Sequence, residues 1–120
     1  MNNAKHKEKA LRIERSLAKC EPQDYEIRIE AAMLAATHWV NGAYHALGVS
    51  ADNNDILHTY MLTVNEFRRY AAANEQLVGK LAKIEDVRPL YVRGDVAGGE
   101  QVADRVVALL GEIRAIALAL

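Results

Sequence analysis

The stretch Tyr25-Glu-Ile-Arg-Ile-Glu-Ala-Ala-Met-Leu-Ala-Ala-Thr-His-Trp-Val-Asn-Gly-Ala-Tyr-His-Ala-Leu47 decides the fold. It is rich in alanine and holds no proline, so it reads as one long helix that ends at Gly48, a natural C-cap residue. At helical periodicity Ile29, Met33, Ala36, Val40, Ala43 and Leu47 share one side. His38, Asn41 and His45 share the opposite side, in line with Ile27 and Leu34. A helix that is apolar on both sides belongs in the middle of a bundle. Its polar row is therefore either satisfied by hydrogen bonds or used as a site.

The rest of the chain agrees with an all-α architecture. Apolar residues make up 51% of the 120 positions and aromatics only 6%, so alanine and leucine supply most of the core. No alternating stretch is long enough for a strand. We expect an up-and-down antiparallel bundle of four or five helices, in a single domain spanning 1–120. Residues 1–20 read as a charged helix with a thin apolar stripe of Ala10, Ile13, Leu17 and Cys20, its early residues frayed. Pro22 breaks that helix, and Asp24 is placed to cap the next.

Beyond Gly48 a polar loop leads to a third helix, expected to be capped by Asp52, Asn53 or Asn54 and to carry Ile56, Tyr60, Val64 and Phe67. A break is expected near Asn74. Leu77, Leu81, Ile84, Arg88 and Tyr91 share one line of a fourth helix, which should kink or end near Val87 ahead of Pro89. The Gly98-Gly99 pair precedes a last helix with the stripe Val102, Val106, Leu109, Ile113, Ile116 and Leu120.

Charge and composition narrow the function classes. A formal net charge of −1 argues against coating nucleic acid by bulk electrostatics, though local clusters remain open. The lone Cys20 makes no internal bridge and has no evident catalytic partner. With no signal-like or membrane-spanning apolar run, the expectation is a cytoplasmic protein with no membrane association. Neither a nucleophile turn nor a phosphate-cradling glycine loop is present, and no cofactor is expected.

Two constellations remain. His38, His45 and His58 form a candidate three-imidazole metal set, His58 coming across from the next helix, and Asp55 and His58 have the carboxylate-x-x-His spacing of di-metal bundles. Against it, a second such motif is absent, and His38 and His45 lie two turns apart. The second constellation is Arg88, Tyr91 and Arg93 around Pro89. Arg88 lies on an apolar line, so it needs an acidic partner or an anionic ligand. Together with His38, Asn41 and His45, these are the ligand-binding candidates.

The segment Thr37-His-Trp-Val-Asn-Gly-Ala-Tyr-His-Ala-Leu-Gly48, followed by Arg88-Pro-Leu-Tyr-Val-Arg-Gly-Asp95 and a long terminal helix, resembles the HEPN superfamily of small α-helical domains. The resemblance covers roughly Ile27 to the C-terminus, on short motifs. It implies a four- or five-helix bundle, homodimerisation, and pairing with a small nucleotidyltransferase in toxin–antitoxin systems. Active members are metal-independent ribonucleases with an arginine followed, four to six residues on, by histidine. Arg88 stands at the arginine, but the residue five positions on is Arg93, and no histidine follows His58. The expectation is therefore a non-catalytic, diverged member that dimerises and binds a protein partner, a nucleotide or RNA. The alternative is an enzyme, either a diverged ribonuclease or a metal-dependent bundle using His38, His45 and His58. Gly42, Ala43 and Ala46 permit close helix approach, inside the core or across a dimer.

Overall fold

A computed structural model describes all 120 residues, and all of its regular structure is helical, with no strand. Five α-helices make the bundle: α1 (Asn3–Leu17), α2 (Tyr25–Ala46), α3 (Val64–Ala73), α4 (Glu75–Asp86) and α5 (Gly99–Leu118). Two short helical turns interrupt the connections, a 3-10 turn at Thr59–Met61 and a single π-helical turn at Pro89–Arg93. No helix is long and apolar enough to cross a membrane.

Helix α2 is the central element and packs against α1, α4 and α5, although Ile27 and Leu34 on its second apolar side are exposed rather than buried. Ile29, Ala32, Met33, Ala36, Val40 and Ala43 are buried, together with Trp39 and Tyr44. The core is completed by Leu77, Val78, Leu81 and Ile84 of α4 and by Val102, Val106, Leu110 and Ile113 of α5. Polar ends of the buried aromatics tie the helices together. Trp39 Nε1 donates to Glu14 in α1 at 2.7 Å, and the same carboxylate receives Arg114 from α5. The Tyr44 hydroxyl donates to the Asn74 carbonyl at 2.8 Å and accepts from the Val78 amide, so α2 holds the junction of α3 and α4.

Two boundaries fall where the sequence places them. Asn74 ends α3 and caps α4 through its side chain on the Leu77 amide, and α4 stops at Asp86, ahead of Pro89. Two regions differ. Helix α1 is formed from Asn3, with the Asn2 side chain as its cap, and it is docked rather than frayed, since His6 and Ala10 are buried against α2. Gly42 permits that approach: a Cβ there would lie 2.7 Å from Asn3 Oδ1 and 3.2 Å from His6 Cβ. The close approach of Gly42 is thus inside the chain.

The expected third helix does not begin at 52–54. Residues 51–58 run without regular structure, and α3 begins at Val64 behind a Thr63/Glu66 capping box. The cause is tertiary, because side chains of α2 and α4 take the backbone groups of Ile56 and Thr59 that a helix would use internally.

Candidate functional site

The polar row of α2 faces α1 and the irregular segment 51–58. Asn41 is buried and grips that segment at one residue: its amide nitrogen donates to the Ile56 carbonyl at 2.8 Å, and its carbonyl oxygen accepts the Ile56 amide at 2.7 Å. This fixes the neighbouring Asp55 beside the histidines. His45 Nε2 lies 2.6 Å from Asp55 Oδ1, and His6 Nε2 lies 2.9 Å from the same oxygen. Beyond them, His6 Nδ1 is 2.9 Å from His38 Nδ1, and His45 Nδ1 is 2.9 Å from the Ser50 hydroxyl and 3.1 Å from the Ser50 carbonyl.

One tautomer assignment closes this network without an ion. Ser50 donates to His45 Nδ1, His45 and His6 each donate from Nε2 to Asp55, and His38 donates from Nδ1 to His6 Nδ1. His38 Nε2 is then left with a lone pair and no protein partner, on a residue that lines a groove. No buried side-chain nitrogen or oxygen is left without a partner.

The electrostatics follow from this packing. Burial pushes the His38 imidazole down to about 4, and neighbouring His6, Lys9 and Arg12 add to the effect, so it is neutral at pH 7. Burial also lowers His6, with partial compensation from Asp55. Burial alone would raise Asp55, but the bonds from His45 and His6 outweigh it and hold its carboxyl below the usual range.

The groove has a volume of about 540 Å³ and lies between α2 and the segment 55–61. Its polar lining includes His6, Thr37, His38, Asp55 and Arg88, while Leu34, Leu57 and Met61 form an exposed apolar rim. Arg88 has the acidic partner its position demands: its Nε lies 2.5 Å from Glu30 Oε1, and that bond raises its pKa. At the far end, the buried Glu85 carboxylate accepts the Thr59 amide and hydroxyl and holds His58 Nδ1 at 2.8 Å. His58 in turn stacks under the exposed Tyr60 ring, with centroids 4.7 Å apart and planes at 11°. Arg93 lies near Tyr60 and Arg88, and Tyr91 is half-buried against the core.

The six candidate residues therefore divide. His38 and Arg88 line the groove, Asn41 is the internal clamp that shapes it, His45 lies behind Asp55, and Tyr91 and Arg93 lie apart from His38. The set His38, His45 and His58 does not converge, because His58 is turned to Glu85 while His45 is turned to Asp55. The ligand-type cluster that does form is His6, His45 and Asp55. His6 was discoverable in the sequence: it stands four residues before Ala10, on the same apolar stripe as Ile13 and Leu17. No family model matches the sequence, and neither a curated protein nor a solved structure does.

Proposed function

We propose that this chain is a non-catalytic RNA-binding helical bundle, with the face of α1 beside the groove as the phosphate track. The observation that carries this reading is the line Lys5, Lys9 and Arg12. These residues recur at i, i+4 and i+7, and none of them has an acidic partner within the structure. Residues 1–20 carry six of the chain's 15 lysines and arginines against two of its 16 acidic residues, so the near-zero net charge conceals a basic end. Lys5, Lys9 and Arg12 line one concavity together with Met1 and Glu8, and the charges of Lys9 and Arg12 disfavour protonation of His38, a residue of the groove. The exposed Tyr60 ring, backed by His58, offers a face on which a base can stack. The choice of RNA over DNA rests on the resemblance of segments 37–48 and 88–95 to HEPN domains. Binding without cleavage is inferred because Arg88 is engaged by Glu30, and no histidine follows it.

Fluorescence anisotropy with a labelled single-stranded RNA at several salt concentrations tests this. We expect binding at low salt whose logarithmic salt slope falls by about 2 when Lys5, Lys9 and Arg12 are all replaced by alanine, given roughly 0.7 per phosphate contact. Tyr60→Ala should weaken binding about tenfold. Absence of binding at low salt, or an unchanged slope in the triple variant, contradicts the reading.

A different observation favours a second reading, association of two copies. Leu34, Leu57 and Met61 are exposed together at the groove rim, and Ile27 continues the line of Leu34 along α2. Light scattering should then show a dimer that Leu34→Glu converts to monomer. A concentration-independent monomer removes this reading.

A further inference from the structure

We propose that His6, His45 and Asp55 hold a divalent first-row transition ion of the zinc class, with its open coordination position facing the groove. His6 Nε2, His45 Nε2 and a carboxylate oxygen of Asp55 all lie within 4.8 Å of one another. They arrive from three separate elements: α1, α2 and the segment held by Asn41. Both imidazoles are almost wholly buried, with side-chain exposures of 2% each. Two imidazoles and one carboxylate are a donor set that suits zinc and other first-row ions.

The outer atoms fit the same purpose. A histidine that coordinates through Nε2 must carry its proton on Nδ1, and it needs an acceptor there. His45 Nδ1 has the Ser50 carbonyl at 3.1 Å, and His6 Nδ1 has His38 Nδ1 at 2.9 Å. Each ligand ring is thus already oriented by a second contact. The change needed to admit an ion is small. Donor atoms about 2.0–2.1 Å from a tetrahedral ion stand roughly 3.3 Å apart, against 2.6 and 2.9 Å here. His6 and Asp55 line the groove whereas His45 does not, so the side left open to solvent or ligand is the groove side. The donor set differs from a His38, His45 and His58 site in two of its three members. It is also independent of the RNA reading.

The test is a titration of metal-depleted protein with Zn²⁺ by calorimetry, with Co²⁺ as a visible-absorption probe of tetrahedral coordination. One equivalent per chain is expected, with d–d bands of tetrahedral Co²⁺. Asp55→Asn keeps an acceptor for both histidines but removes the charged ligand, and it should weaken Zn²⁺ at least tenfold. Should that variant fail to fold, nitrogen-15 NMR of the wild-type protein reads the same point. Zinc must shift the Nε2 resonances of His6 and His45 and leave those of His58 in place. Sub-stoichiometric binding, binding unchanged in folded Asp55→Asn, or zinc-induced shifts confined to other histidines overturns the proposal.

Discussion

Asn41 pairs with both backbone groups of Ile56, as a neighbouring strand would, with bonds of 2.7 and 2.8 Å. This one contact converts a loop into a fixed wall of the site. A helix interior disfavours asparagine, since its side chain competes for backbone groups. Here that competition is directed at a segment fifteen residues away. Asn41→Ala leaves the buried Ile56 amide and carbonyl unpaired, and should lower stability by about 2–4 kcal/mol. Urea denaturation measures the loss, and hydrogen exchange at Ile56 should accelerate in the variant. A loss below about 0.5 kcal/mol would show that the segment holds itself in place.

Glu85 serves the next turn of the same segment. It is 4% exposed, and its carboxylate takes both the amide and the hydroxyl of Thr59 as well as His58. A buried carboxylate is tolerated only where it is so fully bonded. Glu85→Ala should cost about 2–4 kcal/mol by leaving the Thr59 groups unpaired. It should also release the His58 ring from beneath Tyr60. The second effect separates this variant from a simple core defect: RNA affinity should drop at temperatures where the variant is still folded. Unchanged affinity in the folded variant would detach the Tyr60 platform from binding.

Glu30 occupies Arg88 within the groove lining. The bond from Arg88 Nε to Glu30 Oε1 is 2.5 Å, and Nη2 lies 3.4 Å from Oε2. Replacing Glu30 by glutamine removes the charge while keeping an acceptor. The guanidinium then becomes available to one more phosphate, and the salt slope of RNA binding should steepen by about 0.7. Affinity at low salt should rise about threefold, with a modest loss of stability because the pair is partly buried and glutamine keeps an acceptor for the guanidinium. A slope equal to that of the parent protein would place the RNA path away from Arg88.

The helices were legible because their causes are local. Apolar periodicity marked α2, α4 and α5, Asn74 marked a break, and Pro89 marked an end. The site was only half legible. His38, Asn41 and His45 could be placed on one face because helix geometry does that unaided. Their partners lie in the two regions where local rules mislead. In α1 the many charges hide the fact that His6 continues the Ala10–Ile13–Leu17 stripe. In the segment 51–63 helical spacing of Ile56 and Tyr60 gives way to bonds from Asn41 and Glu85, which no local pattern announces. Asp55 was visible only in the Asp-x-x-His spacing with His58, and the structure sends those two residues to different clusters.

The His38 imidazole gives the metal-free protein a defined pH response. Its folded pKa is about 4, set first by burial and then by His6, Lys9 and Arg12, whereas an unfolded histidine titrates near 6.5. Between these values the unfolded chain binds the extra proton. Stability must therefore rise with pH across the window from about 4 to 6.5, and fall as the pH is lowered through it. His6, also depressed by burial, acts in the same direction. Asp55 extends the trend: its folded pKa is depressed, so its contribution is present above the unfolded carboxylate value and lost as the pH drops through the folded one. The urea midpoint should be lower at pH 5 than at pH 7, and NMR titration should show His38 neutral throughout that interval. His38→Asn should flatten the part of the dependence nearest pH 6. A His38 midpoint at 6 or above, or equal stability at pH 5 and pH 7, would mean that the ring is solvated and is not held between α1 and α2.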